Sequence, residues 1–296
     1  MKHLLGLKDL KKAEIVELLE LGKKVKAAPQ RYAEALKGKS LVMIFQKTST
    51  RTRISFEVGM TQLGGHAAFL DWRASNFAVG DILDEVKCIG GYCDLLMARV
   101  YAHADVEKMA AVAGVPVING LSDFEHPCQI LGDLLTIKEK KGGFSDIKIA
   151  YVGDGNNVCN SLIAGCDTAG IAISVATPKG YEPDKAITEA AKGTGTLTMT
   201  NDPKKAVEGA DIVYTDTWVS LGQEKEAAKR LKVFLPYQLN KKLVPKDALV
   251  MHCLPAHRGY EITDDIIDGK NSIVFAQSEN RLHMQKAIML TLSGKT

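Results

Sequence analysis

What this sequence lacks bounds it before any motif is read. No apolar run approaches the ~18 residues of a membrane-spanning helix, and mean hydropathy is −0.05, so no transmembrane span is expected. Net charge is small, because 38 basic residues nearly balance 35 acidic ones and leave +3. That balance argues against a general nucleic-acid binder and still leaves room for a local basic pocket that takes a small anion. There is no C-x-x-C pair among the six cysteines, Cys88, Cys93, Cys128, Cys159, Cys166 and Cys253. Free thiols in a reducing compartment fit that scatter better than a disulfide framework or a zinc site. The N-terminal MKHLLGLKDLKKAEIVELLE has apolar residues at helical spacing, broken by Lys, Asp and Glu. It shows neither the unbroken apolar core of a secretory signal nor the acid-poor composition of a transit peptide, and a cytoplasmic location is the expectation. Internal repeats and low-complexity tracts are absent too. Aromatics are sparse at 6%, but the 46% hydrophobic content is that of an ordinary globular protein and rules out wholesale disorder.

What is present is a regular alternation. A chain of 296 residues suggests about two domains, at roughly 100–200 residues each. LVMIF at 41–45, HAAFLDW at 66–72, DLLMARV at 94–100 and VPVING at 115–120 read as strands, with helices over 51–63, 105–113 and 127–141. KKGGFSD at 140–146 is the best linker, since it combines charge, two glycines and a turn-forming Ser-Asp. Beyond it, KIAYVGD, IAISVAT, DIVYTDTW and ALVMHCL continue the strand series. Helices near 157–168, 184–192, 203–209 and 223–232 separate them, and one more covers 279–292. Continuous apolar strands between helices imply mostly parallel sheets covered on both faces. The fold class is therefore α/β, with two doubly wound domains joined near residue 143. Ligands in such sheets bind outside the carboxyl ends of the strands, which directs attention to 47–53, Arg99, Asn119 onward, 153–157, 216–222 and 252–259.

Unusual residues cluster at those strand ends. In FQKTSTRTR (45–53) a buried strand gives way to a helix start rich in hydroxyls, Thr48, Ser49, Thr50 and Thr52, alternating with Arg51 and Arg53. Free backbone N–H groups, hydroxyl donors and guanidinium forks together make an anion cradle, best suited to phosphate. A serine cap beside solvated arginines is the plainer alternative. In HPCQ (126–129) Pro127 suits the first helical position, leaving His126 at the cap; His126 and the Gln129 amide could both donate to a carbonyl or phosphoryl oxygen, or His126 could simply cap. HCLPAHRG (252–259) gathers His252, Cys253, His257 and Arg258 around a Leu-Pro turn, open to a thiol nucleophile or metal binding, though at no common zinc spacing. GDGNNV (153–158) has the first two glycines of a dinucleotide fingerprint, with Val158 in place of the third. No acidic residue closes IAISVAT to hold a ribose, so Asn156 and Asn157 better suit a polar, carboxylate-bearing substrate. In DTWVSLG (216–222) Asp216 ends a strand, where it could receive an amino group or cap the next helix.

Taken together, S-T-R-T-R (49–53), H-P-C-Q, G-D-G-N-N-V, D-T-W-V-S-L-G, H-C-L-P-A-H-R-G and E-N-R (279–281) resemble the ornithine branch of the aspartate/ornithine carbamoyltransferase family, over essentially the whole chain. The resemblance implies transfer of a carbamoyl group from carbamoyl phosphate to the δ-amine of L-ornithine, giving citrulline and phosphate in arginine metabolism. It implies a carbamoyl phosphate domain over 1–142, with the C-terminal helix 279–296 packing back on it, and an ornithine domain over 143–278. Ser49, Thr50, Arg51 and Thr52 would hold the phosphate; Arg99, His126 and Gln129 would complete that site, with Arg281 from the last helix. Asn157, Asp216, Ser220 and Leu221 match ornithine-binding positions, and Cys253 and Leu254 match positions beside both substrates. Arg99, His126 and Cys253 would be the catalytic set, with Cys253 orienting the amine rather than attacking. No metal or organic cofactor is implied, and the implied assembly is a homotrimer with sites near subunit contacts.

Some positions depart from the family pattern. Asn76 stands where a longer Gln commonly reaches carbamoyl phosphate, and Gly80-Asp81-Ile82 replaces Gly-Glu-Ser/Pro in the same loop. Leu221 replaces a Met, keeping an apolar contact, and Ser278 replaces an Ala before Glu-Asn-Arg. Aspartate is disfavoured as acceptor, since its second carboxylate would call for further basic residues. N-acetylornithine and putrescine are closer rivals, although Asp216 offers a partner for a free α-amino group. A dinucleotide-dependent oxidoreductase and a non-catalytic anion-binding protein are the readings from other classes.

Overall fold

The apolar runs of the N-terminal half form a four-stranded parallel sheet: β1 (Ser40–Phe45), β2 (His66–Asp71), β3 (Leu95–Arg99) and β4 (Val117–Leu121), in the order β2-β1-β3-β4. The structure is a computed structural model and describes residues 1–219 and 224–295. Helices α1 (Lys12–Ala27), α2 (Thr50–Gln62), α3 (Ile82–Gly90), α4 (His103–Val112) and α5 (Pro127–Lys141) accompany this sheet. Every residue of β3 and β4 is buried, as parallel strands covered on both faces require, whereas the edge strand β2 is largely exposed. Ile44, Leu96, Ala98, Val106, Met109 and Val117 form much of the core on one face.

A second parallel sheet follows, β5 (Lys148–Val152), β6 (Ala172–Ala176), β7 (Leu197–Thr200), β8 (Ile212–Thr215) and β9 (Leu249–His252), ordered β7-β6-β5-β8-β9. Its helices are α6 (Asn157–Ala169), α7 (Lys185–Thr194), α8 (Pro203–Val207), α9 (Ala227–Phe234) and α10 (Asp264–Ile267). The last helix, α11 (Val274–Leu292), begins five residues before the start expected from sequence at 279. Strand β7 and helix α3 were not anticipated: β7 is a four-residue edge strand of mixed polarity (LTMT), and α3 is short and adjoins two 3-10 turns. The fold class is the expected one, two parallel α/β sheets covered by helices.

Chain contacts divide the protein into two units, Met1–Leu135 with Asn280–Thr296, and Thr136–Glu279. The division falls inside α5 and inside α11, and the Lys-Gly-Gly segment after α5 ends that helix through Gly142 in the left-handed conformation (φ 79°). The C-terminal half of α11 packs back on the first unit. Asn280 accepts from Lys26 Nζ of α1 (2.8 Å), Lys286 Nζ donates to Gln62 Oε1 at the end of α2 (2.8 Å), and Arg281 Nη2 donates to Thr52 Oγ1 (2.9 Å). Gly132 permits close approach, since a Cβ there would meet Arg281 Cγ at 3.2 Å and its backbone N at 3.3 Å.

In each sheet the strand order reverses once, between β1 and β3 in the first and between β5 and β8 in the second. Those switch points are the crevices in which doubly wound sheets bind ligands. In the second unit the turn after β5 depends on two glycines for different reasons. Gly153 has φ 150°, which L side chains rarely adopt, and Gly155 lies against the 181–183 backbone, where a Cβ would fall 2.2 Å from Pro183 N and 2.5 Å from Tyr181 O. Gly155→Ala is therefore expected to lower stability by more than about 2 kcal/mol. Gly143→Ala, where a Cβ meets nothing within 4 Å, should change it little, and denaturant unfolding of both variants makes the comparison.

Candidate active site

The first half-site is built at the β1/β3 switch point. Ser49 caps α2: its Oγ accepts from Thr52 N (3.2 Å) and donates to Thr52 Oγ1 (3.1 Å), and Thr52 is fully buried. This fixes the first turn of α2 with its free N–H groups and positive dipole end facing the end of the sheet. Arg99 ends β3, is buried, and is braced by a bond from its Nε to the Lys47 carbonyl (3.2 Å). Arg281 arrives from α11 onto Thr52.

His126 stands immediately before α5, delivered from β4 by a turn of buried polar groups. Ser122 Oγ accepts from Glu125 N (3.2 Å), the Glu125 carboxylate accepts from Leu7 N (2.7 Å), and Asn119 Nδ2 donates to Leu5 O (2.8 Å). Burial holds the His126 imidazole well below its ordinary pKa, and the positive charges of Arg281, Arg99, Arg51 and Lys47 push it the same way. His126 is thus a neutral imidazole among four cations, a setting in which an anion is strongly favoured.

The structure brings Ser49, Arg51, Thr52, Arg99, His126 and Arg281 into this half-site. Arg53 does not belong to it: its guanidinium stacks on the Phe69 ring at 3.8 Å and pairs with Glu57, one helical turn away on the exposed face of α2. Thr50, the first residue of α2, is exposed, as is Asn76 on a 3-10 turn after β2 at the same end of the sheet. Gln129 is oriented from within α5. Its Nε2 donates to the buried Asp133 carboxylate (2.9 Å), so the amide is turned with its oxygen the other way. Cys128 is no nucleophile, because burial pushes its thiol up to about 12 and its Sγ donates to the Asn119 carbonyl (3.4 Å).

The second half-site lies at the β5/β8 switch point and centres on Asp216, which is buried. Its Oδ1 accepts from Cys253 Sγ (2.8 Å) and Thr217 N (2.7 Å), and its Oδ2 accepts from Asn156 Nδ2 (2.7 Å). Asn156 does two jobs, since its Oδ1 also caps α6 by accepting from Val158 N (3.0 Å) and Cys159 N (3.1 Å). Asn157, the first residue of α6, is half-buried beside it. Ser220 and Leu221 lie outside the described residues. Cys253 and Leu254 follow β9, Leu254 in the left-handed conformation (φ 60°) before a cis Leu254–Pro255 peptide.

Asp216, His252 and Cys253 offer three donor atoms within 4.8 Å of one another. Their own hydrogen bonds compete with a metal: His252 Nδ1 accepts from Leu254 N (2.8 Å), and its Nε2 faces Glu261 Oε1 at 3.1 Å. Cys253 donates to Asp216, and a thiol that keeps its proton is not a metal ligand in that state. The dinucleotide reading fares no better, because the close approach that Gly155 allows is filled by this chain's own 181–183 backbone.

A scan against protein families finds two matches, in this order along the chain. Residues 2–139 match the carbamoyl-P binding domain of aspartate/ornithine carbamoyltransferases, and residues 145–292 match their Asp/Orn binding domain. This chain belongs to the aspartate/ornithine carbamoyltransferase family. An ornithine carbamoyltransferase from Archaeoglobus fulgidus is 51% identical to it over 304 residues, covering 100% of this chain and 98% of the relative. One from Methanosarcina acetivorans is 52% identical, covering 98% and 99%. The solved ornithine carbamoyltransferase of Pyrococcus furiosus superposes with a TM-score of 0.94 at 49% identity, covering 100% of this chain and 98% of that one.

Three supports of this carbamoyltransferase site were not singled out from sequence. Lys47 adds a fourth cation beside His126. Asp133 sets the Gln129 amide. Arg230 of α9 is buried, donates from Nε to the Trp218 carbonyl (2.6 Å), pairs with Asp154 through Nη2 and lies over the Tyr181 ring at 4.8 Å. It thereby ties the segment after β8 to the turn after β5. Within an amphipathic stretch of lysines and glutamates, an arginine reads as solvated, and nothing local marks it as buried.

The sign of the His126 shift sets a pH dependence. Its folded pKa lies below the ordinary 6.5, so the unfolded chain takes up the proton first. The stability it contributes is complete above about pH 6.5 and is lost as pH falls below that toward the folded value. Denaturant unfolding from about pH 7.5 to about pH 5 should show this loss, and His126→Gln should flatten it. Inorganic phosphate should lessen the loss in the unsubstituted protein, since an anion offsets the surrounding cations.

Proposed function

We propose that this chain transfers the carbamoyl group of carbamoyl phosphate to the δ-amine of L-ornithine, giving L-citrulline and phosphate. The observation that carries this reading is the neutral, buried His126 surrounded by Arg51, Arg99, Arg281 and Lys47 at the start of two helices. Such a group of fixed cations and N–H donors fits a phosphate with an adjoining carbonyl. Ser49, Thr50, Arg51, Thr52 and Arg281 hold the phosphate, Arg99 and His126 face the carbonyl oxygen, and the Gln129 oxygen receives the carbamoyl amino group. Asn76 adds to the donor's surroundings.

Ornithine carries an α-carboxylate, an α-ammonium and a δ-amine. Asp216 is a fixed carboxylate for the α-ammonium, and Asn157, Ser220 and Leu221 are the further residues assigned to ornithine. In the reaction the neutral δ-nitrogen bonds to the carbamoyl carbon, negative charge grows on the carbonyl oxygen, and the C–O bond to phosphate breaks with its electron pair leaving on phosphate. The nitrogen loses one proton, which the departing phosphate takes up. Donors already aimed at the developing oxyanion lower the barrier electrostatically, and holding two small substrates in register supplies much of the remainder. Cys253 orients the amine, its S–H donating to the Asp216 carboxylate.

The assembly is a homotrimer. Ile54 (50% exposed) and Val58 (37%), one turn apart on α2, and Phe69 (37%) on the edge strand β2 offer an apolar strip of the kind that association covers. The cellular site is the cytoplasm, which six free thiols fit. Among the described residues, no helix is long and apolar enough to cross a membrane.

The deciding assay is citrulline formation from carbamoyl phosphate and ornithine, run beside aspartate, N-acetylornithine and putrescine. Turnover confined to ornithine is expected; turnover with another amine would overturn the role given to Asp216, and none with any would leave a binding protein. Two substitutions separate the half-sites. Arg51→Ala should raise the carbamoyl phosphate KM roughly 10- to 100-fold, because a charge-assisted hydrogen bond is lost. Asp216→Asn should raise the ornithine KM while leaving carbamoyl phosphate binding nearly unchanged. Joint loss of both ligands in either variant would contradict the separation.

A further inference from the structure

We infer that Asp133 is a positioning residue that makes the donor site selective for a carbamoyl group over other acyl phosphates, an inference that rests on the carbamoyl phosphate reading above. Gln129 and Asp133 lie one helical turn apart on α5, 1% and 0% exposed, with Gln129 Nε2 2.9 Å from Asp133 Oδ1. Asp133 Oδ1 accepts from the amide nitrogen, so it is the nitrogen of Gln129 that faces the carboxyl group. The amide oxygen is then held on the opposite side, and the amide cannot turn over without placing two acceptors against each other.

That fixed orientation answers a need the cations of the half-site cannot meet. Arg51, Arg99, Arg281 and the N–H groups opening α2 are donors, and they suit the phosphate and carbonyl oxygens. The amino group of carbamoyl phosphate is the one part of the molecule that donates. Acetyl phosphate has nearly the same size and charge but carries a methyl group there. A site that buries an acceptor for an N–H rejects an analogue lacking it, because the acceptor loses water and gains no partner. If the Gln129 amide could rotate, it would adapt to either ligand and much of this rejection would disappear. Asp133 prevents the rotation without itself touching the ligand.

The test compares the protein with Asp133→Leu, which has no acceptor, and Asp133→Asn, which keeps one oxygen. Three constants are measured by citrulline formation: the KM for carbamoyl phosphate, and the inhibition constants of acetyl phosphate and of inorganic phosphate. In Asp133→Leu, the ratio of the acetyl phosphate constant to the carbamoyl phosphate KM should fall roughly five- to tenfold, the size of one hydrogen bond. Inhibition by inorganic phosphate should stay within about twofold, since the phosphate donors are untouched. Asp133→Asn should lie between the two, and it carries the test alone if thermal unfolding shows the leucine variant to be unfolded. A ratio unchanged in the folded variants would overturn the proposal, as would a parallel rise of all three constants, which is what a merely structural role predicts. Absence of citrulline formation by the unsubstituted protein would instead bring down the functional reading, and this inference with it.

Discussion

Everything in the first unit is arranged around the cost of placing Arg51, Arg99, Arg281 and Lys47 about one buried imidazole. Like charges out of water repel, and each side chain must therefore be held by something other than its neighbours. Arg99 leans on the Lys47 carbonyl, and Arg281 is fixed by the Thr52 hydroxyl, which Ser49 fixes in turn. Placing Arg281 requires the end of α11 to return to this unit, which the bonds from Lys26 to Asn280 and from Lys286 to Gln62 secure and the missing side chain of Gly132 permits. A cradle preorganised in this way has met the reorganisation cost before an anion arrives, which is the condition for strong electrostatic stabilisation of charge in a transition state.

The second unit solves a different problem with the same sheet plan. Its central group is a carboxylate, and Asp216 is surrounded by donors from the ends of neighbouring strands and the intervening helix: Cys253 after β9, Asn156 before α6 and its own neighbour Thr217. These bonds hold Asp216 in one orientation. Arg230 extends the order outward, joining the Trp218 carbonyl to Asp154 across the same crevice. Both units thus place function where strand order reverses, and in each the reactive groups come from elements far apart in sequence, so their mutual geometry is a property of the sheet.

That division also explains what could be read from sequence. Continuous apolar strands such as LLMAR and KIAYV, and caps such as Ser49 and Asn156, are local signals, and they located the sheets and the helix starts at which the site is built. The edge strand β7, with half its residues polar, gave no such signal. Side-chain direction was legible only in part. Arg51 and Arg53 are alike in the string S-T-R-T-R, yet the helical turn sends Arg51 toward His126 and Arg53 outward onto Phe69. Arg230 sits in a polar helical stretch that reads as solvent-facing, whereas Asp133 is a lone carboxylate within the apolar run ILGDLLTI, and which group each one meets follows from packing that no local pattern encodes.

The Gln129 amide shows why such hidden partners matter for chemistry. An amide offers a donor at one end and an acceptor at the other, in nearly the same shape, so the residue type alone cannot say which end a ligand meets. Within a group dominated by cations, the default expectation is one more donor. The buried carboxylate of Asp133 reverses it by claiming the nitrogen. Cys253 is an analogous case, since the direction of its S–H is set by the Asp216 carboxylate. In both places a buried carboxylate sets the direction in which the neighbouring group's hydrogen points.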